Sequence, residues 1–286
     1  MPALLDQLNR PAPVVLAPTG MVPTRAMTPH VPLTPAEIAR DVAAAAALGI
    51  TSVHLHARDS DGNPTWDREV YARIVGAVRE AAPHVLINVS TSGRNWSDLE
   101  KRADVLALDG DLKPDLASLT LSSLNFVGSA SVNAPETIRG LVRIMRDRGI
   151  VPELEIFDLG MLNFAGVLQR EGLLVGPLVA NLFFGNIAGM QPTLSEVGIA
   201  VERIPGPGPA LWSGAGLGDY QLIAQTLSLA AGGGVRVGLE DGIYLDRSRE
   251  KLATNAELVG QVHSALDLLG RRAMTPDEFR AELRAR

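Results

Sequence analysis

Short apolar runs recur along the chain, each followed by a stretch with helical spacing. Eight of them read as buried strands, at 13–17, 51–56, 85–90, 118–122, 152–157, 179–184, 210–214 and 235–240. The intervening segments 35–47, 67–82, 134–148, 161–171, 219–231 and 255–269 carry apolar residues at helical intervals. Helix starts are marked as well. Thr34-Pro35-Ala36-Glu37 has a capping residue, a proline at the first helical position and a glutamate three residues on, and Thr275-Pro276-Asp277-Glu278 repeats the pattern before a last helix. Regular strand–helix alternation predicts a parallel sheet. Eight units in a chain of this length predict a (β/α)8 TIM barrel, one domain over residues 1–286 with an extra C-terminal helix. A doubly wound open sheet is the competing architecture, but no glycine-rich dinucleotide turn follows the first strand.

The faces of the strands sharpen the picture. Residues two apart share a face, and several strands divide into one apolar and one polar row. Ser52, His54 and His56 oppose Val53 and Leu55, and Asn88 and Ser90 oppose Ile87 and Val89. Ser118, Thr120 and Ser122 oppose Leu119 and Leu121, Glu153 and Glu155 oppose Leu154 and Ile156, and Arg236, Gly238 and Glu240 oppose Val235, Val237 and Leu239. The apolar rows suit the helix layer. The polar rows then converge in the lumen, where charge without a task carries a heavy desolvation cost. That places an active site at the C-terminal mouth.

Composition narrows the class. In 286 residues, 46% are hydrophobic and the net charge is −6, with no basic cluster for nucleic acid. Cysteine is absent, so there are no disulfides, thiolate ligands or cysteine nucleophile. No basic stretch followed by an apolar one opens the sequence, and the run at 173–184 is too short and broken to span a bilayer. A cytoplasmic location is expected.

Only five histidines occur, and two stand in Val53-His54-Leu55-His56-Ala57-Arg58-Asp59. A closed barrel sets its first strand between the second and the eighth, so His54, His56 and Glu240 can meet at the mouth. Two imidazoles and a carboxylate suit zinc with an open position, and the same set could hold iron or another divalent ion. The plainer role for Glu240 is an ion pair with Arg236 four residues earlier. Asp241 is a candidate base or a turn aspartate before Gly242. Arg236 can grip a substrate carboxylate with its planar fork or form a structural ion pair. Ser90 and Ser118 can donate to a carboxylate or an oxyanion or simply fill space. Glu153 and Glu155 can support the histidines or form a buried network. His30, His84 and His263 do not extend the site, which counts against an amidohydrolase, and the glycine stretches at 214–218 and 232–234 are weak phosphate signals.

The residues resemble the β-keto acid cleavage enzymes from about Val14 to Leu283. The similar motifs are Thr19-Gly20 with Thr24-Arg25, Leu33-Thr34-Pro35-Ala36-Glu37-Ile38, His54-Leu55-His56-Ala57-Arg58-Asp59, Ser90-Thr91, Lys113-Pro114-Asp115 and Leu124-Asn125-Phe126. Pro152-Glu153-Leu154-Glu155 and Val235-Arg236-Val237-Gly238-Leu239-Glu240-Asp241 complete them. The resemblance implies Zn2+ on His54, His56 and Glu240, and acetyl-CoA as co-substrate. It implies that a β-keto acid and acetyl-CoA give acetoacetate and a new acyl-CoA, an acyl transfer of the retro-Claisen type. Asp241 matches the proton-abstracting residue, and Arg236 and Ser90 match the residues that orient this base and the substrate carboxylate. Ser118, Thr120, Val22 and Arg25 fall at the substrate, and a homo-oligomer, a tetramer, is implied.

Three departures bear on the substrate. Val22 replaces a glutamate used for a substrate amine, Ser92-Gly93 replaces a Gly-Gly pair, and Thr120 with Ser122-Ser123 replaces an asparagine and a Gly-containing pair. Val22, with Met21 and Met27 nearby, predicts a tail that is not cationic, hydrophobic or neutral, and the other changes line the presumed pocket. Two other functions compete: a metal-dependent C–C lyase or hydrolase that does not use CoA, and a non-catalytic barrel that binds a metal and a carboxylate.

Overall fold

The computed structural model describes residues 4–176, 178–206 and 210–284. Eight parallel strands close into a barrel whose order around the wall follows the chain. They are β1 (Val14–Leu16), β2 (Ser52–Leu55), β3 (Leu86–Val89), β4 (Leu116–Thr120), β5 (Val151–Ile156), β6 (Val179–Phe184), β7 (Leu211–Gly216) and β8 (Gly234–Val237). The helices that follow are α1 (Pro35–Leu48), α2 (Arg68–Ala81), α3 (Leu99–Ala103), α4 (Pro135–Asp147), α5 (Leu159–Arg170), α6 (Leu194–Glu202), α7 (Gln221–Ala230) and α8 (Asn255–Leu268), with α9 (Pro276–Arg284) closing the chain. The (β/α)8 barrel and its extra terminal helix are therefore as expected.

Local chemistry accounts for the elements. The Thr34 and Thr275 caps form as the sequence indicates, each hydroxyl accepting from the backbone of the glutamate three residues on. α1 stops where Gly49 adopts a left-handed conformation (φ 103°). The short α3 and α6 were not anticipated. α6 carries its own signal, Thr193-Leu194-Ser195-Glu196, and the Thr193 hydroxyl accepts from the Glu196 N–H. The expected helix at 219–231 begins with a tight turn at Gly218–Tyr220 before α7. Two hairpins interrupt the alternation on the mouth side, Ala57–Arg58 with Pro64–Thr65, and Leu124–Asn125 with Ala130–Ser131.

The predicted division of strand faces is observed. Val53, Leu55, Ile87, Val89, Leu119, Leu154, Val235 and Val237 pack with the helices in the main core. The opposite rows fill the lumen in layers. At the bottom, Leu86, Leu116, Val179 and Leu211 form a separate apolar cluster with Met274 and Phe279. Phe279 comes from α9, so the terminal helix plugs the floor of its own barrel. The preceding segment is clipped on by Met274 N–H to Ala12 O (2.7 Å) and by Thr51 Oγ1 to Met274 O (2.6 Å). One step up the strands, the lumen turns polar: Asn88, Ser118, Glu153, Asn181, Ser213 and Arg236 are all buried. Arg236 reaches up from this layer to the other functional groups, which lie above it.

The floor is a packing requirement, and removing its bulk has a measurable cost. Phe279→Ala lowers the stability of the chain by about 3–5 kcal/mol in urea unfolding. A loss under about 0.5 kcal/mol would contradict the plug.

Candidate functional site

The site is built at the ends of β2, β3, β4, β5 and β8. His54 is the residue before the last of β2, and His56 stands one residue beyond the strand. Their Nε2 atoms face each other at 3.1 Å, and Glu240 Oε1 lies 3.2 Å from His56 Nε2 and 4.0 Å from His54 Nε2. The expected eighth strand at 235–240 is shorter. β8 ends at Val237 because Gly238 takes φ 150°, where an added Cβ would fall 2.1 Å from Ala17 O. The chain then turns, so the turn rather than strand alternation carries Glu240 to the histidines. Gly20, at φ 65°, completes the cradle: a Cβ there would strike Glu240 Cγ at 2.4 Å.

Two residues outside the motifs hold this turn. Gln221 accepts from Gly238 N–H (3.1 Å) and donates to Gly238 O (3.3 Å). Asn255 accepts from Leu239 N–H (3.0 Å) and donates to Pro18 O and Asp41 Oδ2. Both stand at the starts of helices, and no local pattern in the sequence marks them as partners of residues 238–242.

Arg236 organises the charges. It is 1% exposed, and its Nε and Nη2 meet Asp241 Oδ2 (2.9 Å) and Glu240 Oε1 (2.7 Å). The ion pair weighed for Glu240 thus exists beside the histidine contacts. The edge of the Arg236 fork faces Asp241 rather than open space, and its buried Nη1 is without a partner. Burial raises the Asp241 carboxyl to about 6 and the neighbouring Glu240 charge adds to this, against the pull of Arg236. Burial also works to raise Glu240, but Arg236 and the two imidazoles outweigh it and hold that carboxyl well below its ordinary value. Burial and the Arg236 charge push His54 well below the usual imidazole range, keeping it neutral.

These donors fit a divalent ion. Zinc with ligands at about 2.0–2.2 Å in a tetrahedron sets the ligand atoms roughly 3.3–3.6 Å apart, and the separations here straddle that range. Glu240 Oε2 is buried and has no hydrogen-bond partner. Among the described residues, His54, His56 and Glu240 form the group of histidine and acidic ligands close enough to hold a metal, with ligand atoms within 4.8 Å of one another.

The mouth opens into a cavity with about 660 Å³ of accessible space, lined in part by Val22, His56, Ser90, Thr120, Arg236 and Asp241. Thr120 donates to Glu155 Oε2 (2.5 Å) on the same wall. Two expected substrate contacts lie elsewhere. Arg25 is absent from the lining because Glu37 of the α1 cap and Pro29 O take its guanidinium. Ser118 sits below the cavity, 1% exposed, where its Oγ accepts from Thr91 N–H and its carbonyl from Thr91 Oγ1. It holds the strand end that carries Ser90. Arg58 was quoted only as part of a motif. It is buried and donates to the carbonyls of Gly20, Gly62 and Pro23, fixing the loop that bears Met21 and Val22.

Barrel, buried arginine and a His-His-Glu set define a TIM-barrel enzyme with a candidate metal centre. Comparison with known proteins carries this further: the model of the beta-keto acid cleavage enzyme family matches residues 11–284, and the chain belongs to that family. It is 35% identical over 269 residues to a 3-keto-5-aminohexanoate cleavage enzyme of Fusobacterium nucleatum, covering 93% of this chain and 95% of that one. It is also 35% identical over 278 residues to a 3-oxoadipate:acetyl-CoA acetyltransferase of Cupriavidus necator, covering 96% and 95%. Among solved structures, apo ObcA superposes with a TM-score of 0.79 at 22% identity, over 88% of this chain and 65% of the ObcA chain, a likeness of fold.

Glu153 gives a test of the polar layer. Burial raises its carboxyl to about 7, Glu155 adds to the shift, and Arg236 and the Asn88 amide (2.5 Å) oppose it. The folded chain keeps this proton up to about pH 7, and the unfolded chain releases it near 4.5. Between those values the folded state binds more protons, so the Glu153 contribution makes stability fall as pH rises. Glu153→Gln removes that decline, gaining up to about 3 kcal/mol on the parent between pH 4.5 and 8. Urea unfolding at several pH values checks it, and parallel curves for the two proteins would contradict it.

Proposed function

We propose that the protein transfers the acyl part of a β-keto acid to CoA, with acetyl-CoA as co-substrate and Zn2+ held by His54, His56 and Glu240. The C2–C3 bond of the keto acid breaks. Its acyl carbon ends on the CoA sulfur, and its carboxymethyl fragment takes the acetyl group to leave as acetoacetate. The observation that carries this reading is Arg236 bound at once to Asp241 and to Glu240, which ties a base to the edge of the metal set. Membership in the family and the acetyl-CoA in the Cupriavidus relative's name support it.

A divalent ion polarises a ketone and stabilises the charge that develops beside it. The remaining work falls to the chain. Asp241, with a carboxyl near 6, is ionised at neutral pH yet basic enough to take the α-proton. Arg236 fixes the direction of its oxygens, and Ser90, lining the cavity, offers a hydroxyl to the substrate carboxylate. His54, kept neutral, serves as ligand rather than acid. At the open end, Val22 and Thr120 line the wall without adding charge, which favours a tail that is not cationic. No helix among the described residues is long and apolar enough to cross a membrane, and a cytoplasmic location is part of the proposal. Assembly as a homo-oligomer, a tetramer, belongs to the same proposal.

Incubation with acetyl-CoA and a panel of β-keto acids yields acetoacetate in proportion to acetyl-CoA consumed. Keto-acid cleavage that proceeds equally well without acetyl-CoA would replace this reading with a lyase or hydrolase. Asp241→Asn lowers kcat by about 10²–10⁴-fold with metal content retained. His54→Ala loses stoichiometric metal by elemental analysis, and full retention would remove His54 from the ligand set.

A further inference from the structure

The cavity is walled on one side by a row of aromatic rings. Phe183 stacks on Phe157 with centroids 4.4 Å apart and planes 10° from parallel, and Phe126 meets Phe157 edge-on at 5.6 Å. An arginine caps each end. Arg236 lies 5.0 Å from the Phe183 centroid at the reacting centre, and Arg94 lies 3.6 Å over Phe126 at the outer end. Both arginines line the cavity.

Their situations differ. The Arg236 charge is matched by Asp241 and Glu240. The guanidinium of Arg94 makes no hydrogen bond or ion pair among the described residues. It is not loose, because the ring of Phe126 supports it, and the backbone of its residue is held in place: the Arg94 main-chain N–H donates to Ser92 Oγ (3.2 Å), and the Ser92 main-chain N–H donates to Ser90 Oγ (3.2 Å). It lies close enough to feel the charges of Glu240, Glu155 and Asp241 without touching them, and burial pushes it below its ordinary value. A ligand that fills the cavity strips the remaining water from this cation. That is costly unless the ligand brings an anion to meet it.

We propose that Arg94 is the anchor for a second carboxylate on the substrate, and that the protein prefers β-keto dicarboxylic acids with the extra acid group remote from the reacting carbonyl. The inference rests on the function proposed above. Position decides between the two ends of such a substrate. The reacting carbonyl and its carboxylate belong beside Asp241 and the His-His-Glu set, at the Arg236 end of the ring row. Arg94 stands at the other end. A guanidinium whose carbon sits 3.6 Å over a ring centroid has that side covered and keeps N–H groups for a carboxylate. The tail expected from Val22 as hydrophobic or neutral is then apolar along the rings and acidic at its tip.

The test compares 3-oxoadipate with 3-oxohexanoate, equal in chain length and different only in the terminal acid. The parent prefers 3-oxoadipate in kcat/KM. In Arg94→Gln that selectivity ratio falls about 10- to 100-fold, mainly through KM for 3-oxoadipate, and Arg94→Lys restores part of it. Titration calorimetry with adipate and hexanoate, which cannot react, shows adipate binding weakened selectively in Arg94→Gln. An unchanged ratio overturns the proposal, and so does an equal loss for both keto acids, which would mean a contact to the shared carboxylate or a structural role. If no β-keto acid is turned over with acetyl-CoA but adipate still binds through Arg94, the proposed reaction fails and the anchor stands.

Discussion

Everything at the mouth of this barrel depends on one buried cation. Arg236 projects into the lumen from β8, and Glu240 and Asp241 return to it four and five residues later through the turn at Gly238. Taking three charges out of water is expensive, and their mutual attraction recovers that only when the geometry is good. The arrangement therefore fixes where the turn must go. Arg236 also sets the charge states around it. It holds Glu240 ionised, keeps His54 neutral and restrains the rise of Asp241. Two carboxylates adjacent in sequence thereby acquire different properties, one strongly ionised, the other basic enough to accept a proton.

The lumen below supports this in layers. Phe279 and Met274 seal the floor with an apolar plug, and in the polar layer above it the Asn88 amide donates to Glu153. Glu153 is charged only at a cost there, so the layer between plug and site is close to neutral except for Arg236 itself. The field of that arginine is then directed at the two carboxylates of its own turn rather than shared with the barrel floor.

How much of this the sequence revealed follows from the range of each interaction. The eight strands, their inward rows and the Thr34 and Thr275 caps are local patterns, and they were legible. So was the convergence of His54, His56 and Glu240, because barrel closure brings the second and eighth strands to either side of the first. What escaped was non-local or broke the regular pattern. Alternation suggested that β8 ran on to Glu240, but a positive φ at Gly238 ends it. Arg25 was expected at the substrate, yet the capping box beside it supplies Glu37 as a partner. Ser118 faced inward as expected but one layer too low, and a register of two residues separates filler from lining. Gln221, Asn255 and Arg58 act through backbone atoms of distant segments, which leaves no trace in local spacing.

The front of the cavity obeys a different constraint from the back. Arg236, Asp241 and the metal set are tied to strand ends and to one another, so moving one moves all. Val22, Arg94 and Phe126 come from loops after β1, β3 and β4, which can change without disturbing a ladder hydrogen bond. The aromatic row joins the two halves. Phe183 is a strand residue under the field of Arg236, while Phe126 belongs to a hairpin tied to the loop after β6 by Asn186 Nδ2 donating to Asn125 O (3.0 Å). A rigid inner ring thus sets the position of an outer ring on a loop, and the outer ring positions a guanidinium. This lets a surface loop present a charge at a defined distance from the Arg236 end of the cavity. Selecting among short acids by the group at their far end requires that fixed distance.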